Sequence, residues 1–324
     1  MLKRIKIFII AFILSLPFFW GINNLEKGLS DFLFWREISQ NPQIFTAQIA
    51  LEERLLEAKP IRNREIQDFE TEAKSVISVF ADNEGRERTL FEKESGKILP
   101  IASLTKLMTA WVVLEYYDLS KEITISKKAA NQYGDIRGLE EGKTFPVEYF
   151  LYPLLIESSN GAAFALADDY EGMTERDFVE LMNWEAQKIG LNDTFFDNPT
   201  GLDPEDSKTE MNYSTANDLV KLVKKILEEP LVWEILSIPK YSEYGPELIN
   251  TNRFLVDDST DWQGKIIGGK TGYTSKAGGC LLLVIKAPRS QGFLINIILG
   301  VNGKEDRFEE MKELIDWLNK AYKW

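Results

Sequence analysis

Residues 76–91 read VISVFADNEGRERTLF, and this stretch decides how the fold begins. The run at 76–80 is apolar and rich in β-branched residues, which is typical of a buried strand. The DNEG segment at 82–85 provides turn residues, and a second short strand follows it through Leu90 and Phe91. The stretch therefore predicts a β-hairpin at the start of the folded part of the chain.

Helical patterns occupy the middle of the chain. Apolar residues recur at helical spacing from Ser103 onward, at Leu107, Ala110, Trp111 and Leu114. Further helices are predicted over residues 147–155, 162–168, 177–189, 216–227 and 305–321. Strand-like segments return at 281–285 and 293–301. Strands at both ends predict an α+β fold, in which an antiparallel sheet flanked by helices carries an inserted helical subdomain at about residues 104–235.

The composition is that of a globular protein, and it limits the chemistry. The 324 residues are 44% hydrophobic and 27% charged, and a net charge of −13 argues against nucleic acid as a partner. No histidine is present, so a Ser-His-Asp triad, a Cys-His dyad and the usual zinc sites are excluded. Acid–base chemistry must use Lys, Asp, Glu, Tyr or Ser. The single cysteine, Cys280, is interpreted as a core residue.

The first residues are typical of an export signal. Three basic residues precede an apolar run at 7–22, and no small-x-small cleavage site follows it. We therefore favour an uncleaved membrane anchor at residues 1–24 over a cleaved signal, with everything after it on the outer face of the cytoplasmic membrane. Residues 25–72 are interpreted as a stalk, which leaves 73–324 as one functional unit.

An S-x-x-K motif lies at Ser103 and Lys106, at the start of a predicted helix. This spacing puts a hydroxyl and an amine on one helix face, where they can share a proton. A desolvated lysine near another cation loses its proton more readily and can then serve as general base for a serine nucleophile. The motif also occurs at Ser237 and Lys240, but Pro239 disrupts the helical register there, and we interpret this copy as a coincidence.

Two further elements are suited to orienting a substrate. Ser158 and Asn160 form an S-x-N element, although such an element alone is more often a polar turn at a helix start. The segment Lys270, Thr271, Gly272 offers a cation and a donor for a carboxylate, and its glycine lets a substrate backbone approach closely. The alternative interpretation is a simple surface hairpin. The order S-x-x-K, S-x-N, K-T-G favours the catalytic interpretation of all three.

The chain from about Ala73 onward resembles the low-molecular-weight D-alanyl-D-alanine carboxypeptidases, a family of penicillin-binding serine peptidases. The resemblance extends beyond the motifs to four segments, at residues 100–103, 213–219, 250–253 and 269–278. It implies a β-lactamase/transpeptidase-like fold and a catalytic domain at 73–324, with no cofactor and no metal. It also implies peptidoglycan stem peptides as substrates, β-lactam antibiotics as ligands and the cell envelope as the location.

The resemblance assigns catalytic roles to four residues. It implies that Ser103 attacks the penultimate D-alanine carbonyl, that Lys106 accepts the serine proton, and that Ser158 helps to protonate the departing D-alanine. The backbone amides of Ser103 and Tyr273 would form the oxyanion hole.

Substrate-binding roles follow in the same way. Asn160 would orient the substrate, while Lys270 and Thr271, with Gly272 beside them, would hold the terminal carboxylate. Arg307 matches an arginine that lies near the carboxylate in some family members. Members often carry histidine where this chain has Thr200 and Asn212, and neither position belongs to the catalytic scheme.

Two other functions are weighed against this one. A class A β-lactamase needs a glutamate that activates the deacylating water, and residues 247–250 look like that segment but lie much nearer Lys270 than Ser158. An inert, envelope-anchored protein that only binds stem peptides is the second alternative. Among peptidase reactions, hydrolysis, transfer to an acceptor amine and cross-link cleavage stay open, because they depend on cleft shape and water access.

Overall fold

A computed structural model gives the architecture of the chain. It describes residues 36, 60–134, 139–168, 170–204, 211–243, 245–257, 264–288 and 292–324. The chain divides into two compact units, one formed by Asn63–Tyr322 and the other by Met1–Arg62 with Lys323–Trp324. The site described below lies within the first unit.

The predicted membrane anchor at residues 1–24 lies outside the described residues, as does most of the predicted stalk at 25–72. In the part of the chain that the structure describes, no helix is long and apolar enough to span a membrane. The sequence placed the start of the catalytic domain at Ala73. In the structure, residues before this point already contact the last helix, since Trp317 donates to the carbonyl of Gln67 at 2.7 Å and Thr71 donates to Glu310 at 2.5 Å.

The main sheet has five antiparallel strands among the described residues. They lie in the spatial order β3-β4-β5-β1-β2 and are β1 (Ser75–Asp82), β2 (Glu87–Lys93), β3 (Ile266–Thr274), β4 (Gly278–Lys286) and β5 (Gly292–Val301). The predicted hairpin is confirmed as β1 and β2. Strand β1 is buried along almost its whole length, since β5 and β2 pair with its two edges and the helix Ala216–Ile226 packs against it.

Helices follow the first hairpin and return after the last sheet strand. The described helices are α1 (Lys106–Tyr116), α2 (Lys127–Ala130), α3 (Val147–Leu155), α4 (Asn160–Ala167), α5 (Glu175–Lys188), α6 (Ala216–Ile226), α7 (Pro230–Ser237), α8 (Arg253–Val256) and α9 (Asp306–Ala321). Short strands complete the described elements, at Ile61–Arg62, Leu99–Pro100, Glu122–Thr124, Thr144–Pro146, Tyr213–Ser214, Lys240–Tyr241, Leu248–Ile249 and Tyr322–Lys323. Because α1 to α8 lie between β2 and β3 in sequence, the predicted α+β fold with inserted helices is confirmed.

Local sequence explains where several helices begin and end. The side chain of Thr215 accepts a hydrogen bond from the backbone N–H of Asp218 at 3.0 Å, so Thr215 is the N-cap of α6. Helix α7 ends at Ser237, two residues before Pro239, as expected where a proline disfavours helical backbone in the residue before it.

Helix α7 packs closely on strand β3. A Cβ atom added to Gly268 would lie 2.9 Å from Leu236 and from Trp233, so only a glycine lets the helix approach the strand at this distance. Helix α9 lies against β4 and β5. Helix α7 therefore meets the sheet at β3, while α6 packs against β1 and β5. The functional side chains gather beside β3.

Candidate active site

The candidate nucleophile Ser103 lies in a short 3₁₀ turn, Ala102–Thr105, that leads directly into α1. Ala102 has a positive φ of 49°, which is an uncommon conformation for a residue with a Cβ atom. A Cβ atom on Gly201 would lie 2.0 Å from the Ala102 carbonyl oxygen, and one on Gly272 would lie 3.2 Å from the Ser103 nitrogen. Two glycines, one from a loop and one from β3, therefore pack against the backbone of the turn.

Lys106 is completely buried at the start of α1. Its Nζ lies 3.1 Å from Ser103 Oγ, 2.7 Å from Asn160 Oδ1 and 2.6 Å from the carbonyl oxygen of Thr200. Both carbonyl-type oxygens can only accept hydrogen bonds. A neutral lysine amine has two N–H groups and one lone pair, so donation to these two oxygens would turn the lone pair towards the serine hydroxyl.

The amide orientation of Asn160 follows from its other contact. Its Nδ2 donates to the backbone carbonyl of Tyr133 at 2.6 Å, which leaves Oδ1 to face Lys106. Asn160 is the first residue of α4, and the side chain of Ser159 caps this helix by accepting from Ala162 N at 3.0 Å. The S-x-N element is therefore both a polar turn at a helix start and a contact of Lys106.

Ser158 and Lys270 form a second serine–lysine pair. Lys270 is completely buried in β3, and its Nζ donates to Ser158 Oγ at 2.7 Å. Ser158 has a positive φ of 65°, which is rare outside glycine. Burial is the first cause that holds the pKa of Lys270 well below its ordinary value, followed by the positive charges of Lys106 and Arg307. Ser158 lies two residues before Asn160, whose Oδ1 contacts Lys106 Nζ, so the two pairs lie close together in the fold.

The remaining predicted residues surround the K-T-G segment. Thr271 Oγ1 donates to Thr251 Oγ1 at 2.7 Å, and Arg307, which is nearly buried on α9, donates from Nη1 to the carbonyl of Gly272 at 2.7 Å. Arg307 Nε has no hydrogen-bond partner among the described residues. Thr271 and Arg307 are buried, whereas the side chain of Tyr273 is 44% exposed. Thus Arg307 lies beside the K-T-G strand and contacts its backbone.

Sequence reasoning missed the part played by Thr200. Its contact with Lys106 is made by the main-chain carbonyl, and a backbone atom leaves no residue-type signal. The available signal was indirect, since Thr200 follows the Asn-Pro pair at 198 and 199, at a position where family members often carry histidine.

The arrangement is suited to acyl transfer. A serine hydroxyl lies beside a buried amine that also contacts two acceptor oxygens, and a second buried lysine lies next to another hydroxyl. Lys270 and Arg307 add positive charge beside the K-T-G segment, which favours an anionic ligand. Among the described residues, no group of three His, Cys, Asp or Glu side chains is placed to hold a metal ion.

Comparisons with known proteins agree on one family. The family model for D-alanyl-D-alanine carboxypeptidases matches residues 62–303. The chain is 30% identical to D-alanyl-D-alanine carboxypeptidase DacF of Bacillus subtilis over 263 residues, which cover 78% of this chain and 63% of that protein. It is 31% identical to a D-alanyl-D-alanine endopeptidase of Pseudomonas aeruginosa, over 74% of this chain and 76% of the relative.

The fold is similar to that of penicillin-binding protein D2 from Listeria monocytogenes, whose structure was solved with ampicillin bound. The TM-score is 0.65 at 29% identity, over 78% of this chain and 99% of that one. The chain spans less than two thirds of the Bacillus subtilis protein, so the match concerns part of that relative. The match over residues 62–303 shows that this chain belongs to the D-alanyl-D-alanine carboxypeptidase family.

Proposed function

We propose that this protein is a serine-type D-alanyl-D-alanine carboxypeptidase that removes the terminal D-alanine from peptidoglycan stem peptides through an acyl-enzyme on Ser103. The observation that carries the proposal is the contact of Lys106 Nζ with Ser103 Oγ at 3.1 Å, completed by acceptor oxygens of Asn160 and Thr200. A buried amine held in this way is suited to take the serine proton. Family membership supports the substrate class.

In the proposed acylation step, Lys106 accepts the hydroxyl proton while Ser103 Oγ attacks the carbonyl carbon of the penultimate D-alanine. The backbone N–H groups of Ser103 and Tyr273 stabilise the oxyanion that forms on the carbonyl oxygen. As the peptide bond breaks, Ser158 passes a proton to the amine of the departing D-alanine and is reprotonated by Lys106, which returns to its neutral form. Water then hydrolyses the ester and restores the Ser103 hydroxyl.

Recognition of the terminal carboxylate is assigned to the K-T-G segment. Lys270 supplies a cation and Thr271 a hydroxyl, while Gly272 lets the substrate backbone come close to β3. Arg307 adds positive charge from α9, behind the Gly272 carbonyl. Asn160 orients the substrate through its amide, which already contacts Lys106.

The proposal extends to ligands and location. β-Lactam antibiotics are expected to acylate Ser103, since a family relative has been solved with ampicillin bound. The substrate places the protein in the cell envelope. The basic and apolar amino terminus supports attachment to the outer face of the cytoplasmic membrane through residues 1–24.

A β-lactamase function is less well supported. Glu247, the glutamate that looks like the deacylating residue, lies next to the short surface strand Leu248–Ile249, where it pairs with Lys240 at 3.4 Å. Both side chains of this pair are about half exposed. A carboxylate engaged at the surface is poorly placed to activate a water molecule at an acyl-serine.

The deciding experiment combines two readouts on the full chain. Intact mass spectrometry after mixing with penicillin is expected to show one stable adduct, because the tethered leaving group blocks water. Incubation with an acyl-D-alanyl-D-alanine peptide is expected to release free D-alanine. Rapid release of hydrolysed drug would instead indicate a β-lactamase, and absence of both adduct and D-alanine would indicate an inert binding protein.

A further inference from the structure

Asn212 is a buried amide that lies directly before the short strand Tyr213–Ser214. Its Oδ1 accepts from the backbone N–H groups of Asp197 at 2.9 Å and Asn198 at 3.1 Å. Its Nδ2 donates to the Asn198 carbonyl at 2.8 Å and to Thr105 Oγ1 at 2.9 Å. One side chain thus binds the 197–198 loop at three backbone atoms and reaches the turn that carries Ser103.

The side chain of Asn198 continues this network. Its Oδ1 accepts from the backbone N–H of Thr200 at 3.1 Å, from Thr200 Oγ1 at 2.8 Å and from the backbone N–H of Gly201 at 2.8 Å. These bonds fix the turn through Thr200, whose carbonyl oxygen accepts from Lys106 Nζ at 2.6 Å. The position of that oxygen therefore depends on where Asn198 lies, and Asn212 holds Asn198 at both its N–H and its carbonyl.

Asn212 is itself held against the segment that precedes the nucleophile. The strand Tyr213–Ser214 pairs with Leu99–Pro100, and Tyr213 also forms a bridge with Phe195. Asn212 therefore connects two segments whose relative position must be kept for proton transfer. One is the turn with Ser103 and Lys106, and the other is the loop with the Thr200 carbonyl.

We propose that Asn212 is a positioning residue that aligns the lone pair of Lys106 with Ser103 by fixing the Thr200 carbonyl; the proposal rests on Lys106 acting as the general base. If that carbonyl moves, the amine loses this acceptor oxygen and can rotate, so the lone pair no longer faces the serine. A small misplacement of reacting groups costs about 100-fold in rate.

Asn183 on helix α5 offers a matched control. Its Nδ2 donates to the carbonyls of Val179 at 3.0 Å and Phe196 at 2.7 Å, and its Oδ1 accepts from Phe196 N at 2.9 Å. Asn183 thus holds the neighbouring part of the same loop through similar amide bonds. None of these three bonds reaches Thr200 or the turn with Ser103.

The experiment compares Asn212→Ala and Asn183→Ala in the full chain. Both variants are expected to lower the melting temperature by comparable amounts, since each loses buried amide bonds. Asn212→Ala is expected to slow acylation by penicillin about 10- to 100-fold at saturating drug, with little change in the binding constant, whereas Asn183→Ala stays within about threefold. Asn212→Ser retains a hydroxyl and provides a milder variant if the alanine variant does not fold.

Two further readouts separate alignment from a general loss of structure. Asn198→Ala is expected to be non-additive with Asn212→Ala in the acylation rate, because both act through the Thr200 carbonyl, while Asn183→Ala adds independently. A crystal structure of Asn212→Ser is expected to show a longer distance between Lys106 Nζ and the Thr200 oxygen. Wild-type spacing in that crystal, or equal acylation losses for the Asn212 and Asn183 variants, would overturn the proposal.

The proposed function is judged separately. Acylation of the wild-type chain and its loss in Lys106→Ala test whether Lys106 is the base. If the wild-type chain forms no adduct, the carboxypeptidase proposal fails. The distance between Lys106 Nζ and the Thr200 oxygen in the Asn212→Ser crystal still decides whether Asn212 sets the position of Lys106.

Discussion

The motif S-x-x-K occurs twice in this chain, and the two copies lie in opposite environments. Ser103 and Lys106 lie at the start of α1, where the lysine is fully buried and bound to three oxygens. Ser237 is the last residue of α7 and donates to the Glu234 carbonyl at 2.8 Å. Lys240 lies beyond the helix end, is 55% exposed and pairs with a surface glutamate.

Spacing alone therefore does not make a catalytic pair. Both copies have the same number of residues between hydroxyl and amine, yet only the first keeps helical backbone between them. Pro239 explains this in the second copy, because the residue before a proline avoids helical conformation. Burial is the other requirement, since an exposed amine keeps its proton at neutral pH and cannot act as a base.

Replacing the serine of each copy gives the sharpest contrast. Ser103→Ala is expected to abolish the penicillin adduct completely, because the nucleophile is gone. Ser237→Ala is the matched control and is expected to leave adduct formation unchanged. Intact mass and peptide mapping measure the adduct in both variants. An adduct that persists in Ser103→Ala, or that maps to Ser237, would show that Ser103 is not the nucleophile.

Replacing the lysines gives the next largest effect. Lys106→Ala is expected to slow acylation by about 10²- to 10⁴-fold, the usual contribution of a positioned general base. The loss should be the same for penicillin and for peptide substrates, because the base acts in the chemical step. Lys240→Ala should show the wild-type acylation rate in the same assay. Comparable losses for the two variants would remove the distinction between the copies.

Lys270 sharpens the comparison further, because it is buried like Lys106 but is assigned to charge recognition. Lys270→Ala is expected to reduce kcat/KM by about 10- to 100-fold for substrates ending in a free carboxylate, which corresponds to one charged hydrogen bond. Amidated analogues should lose much less. Equal losses on both substrates would contradict the assigned role.

The same residue predicts a pH dependence. Burial and the charges of Lys106 and Arg307 hold the pKa of Lys270 well below its ordinary value. Since only the protonated amine attracts a carboxylate, capture in the ligand-free enzyme is expected to be full below this lowered pKa and to weaken as pH rises through it. The measurement is kcat/KM against pH, and the amidated substrate should lack this basic limb.

The smallest effect is expected at the surface copy. The ion pair between Lys240 and Glu247 is half exposed, so Glu247→Ala should change the free energy of unfolding by less than about 0.5 kcal/mol. Urea denaturation measures it. The same variant should keep the wild-type lifetime of the penicillin adduct, whereas a changed lifetime would indicate that Glu247 takes part in deacylation.

Strong periodic patterns allowed much of the fold to be predicted. The predicted helix over residues 147–155 coincides with α3, because its apolar residues form a long buried face. Strand β3 was not predicted, since Gly268, Gly269 and Gly272 lower its strand propensity. These glycines serve close packing instead, and a Cβ atom on Gly269 would lie 2.8 Å from the Leu282 carbonyl.

The site was predictable where side chains form the motif. The motifs identified Lys270 and Ser158. Their direct contact depends on a positive φ at Ser158, which the serine residue type does not predict. The Thr200 carbonyl and the amide of Asn212 were assigned no role, because their contribution depends on tertiary contacts. Sequence patterns therefore identify reacting groups better than the groups that hold them in place.

The contacts of Lys106 have a consequence for folding. Its acceptors Asn160 and Thr200 lie 54 and 94 residues away in sequence. The amine can therefore be oriented only after this long stretch of chain has closed upon α1, which is a late event for non-local contacts. Molecules in which the closure is incomplete should remain unlabelled by a fluorescent penicillin. Such a reagent would count native molecules during refolding or expression, independently of how much helix has already formed.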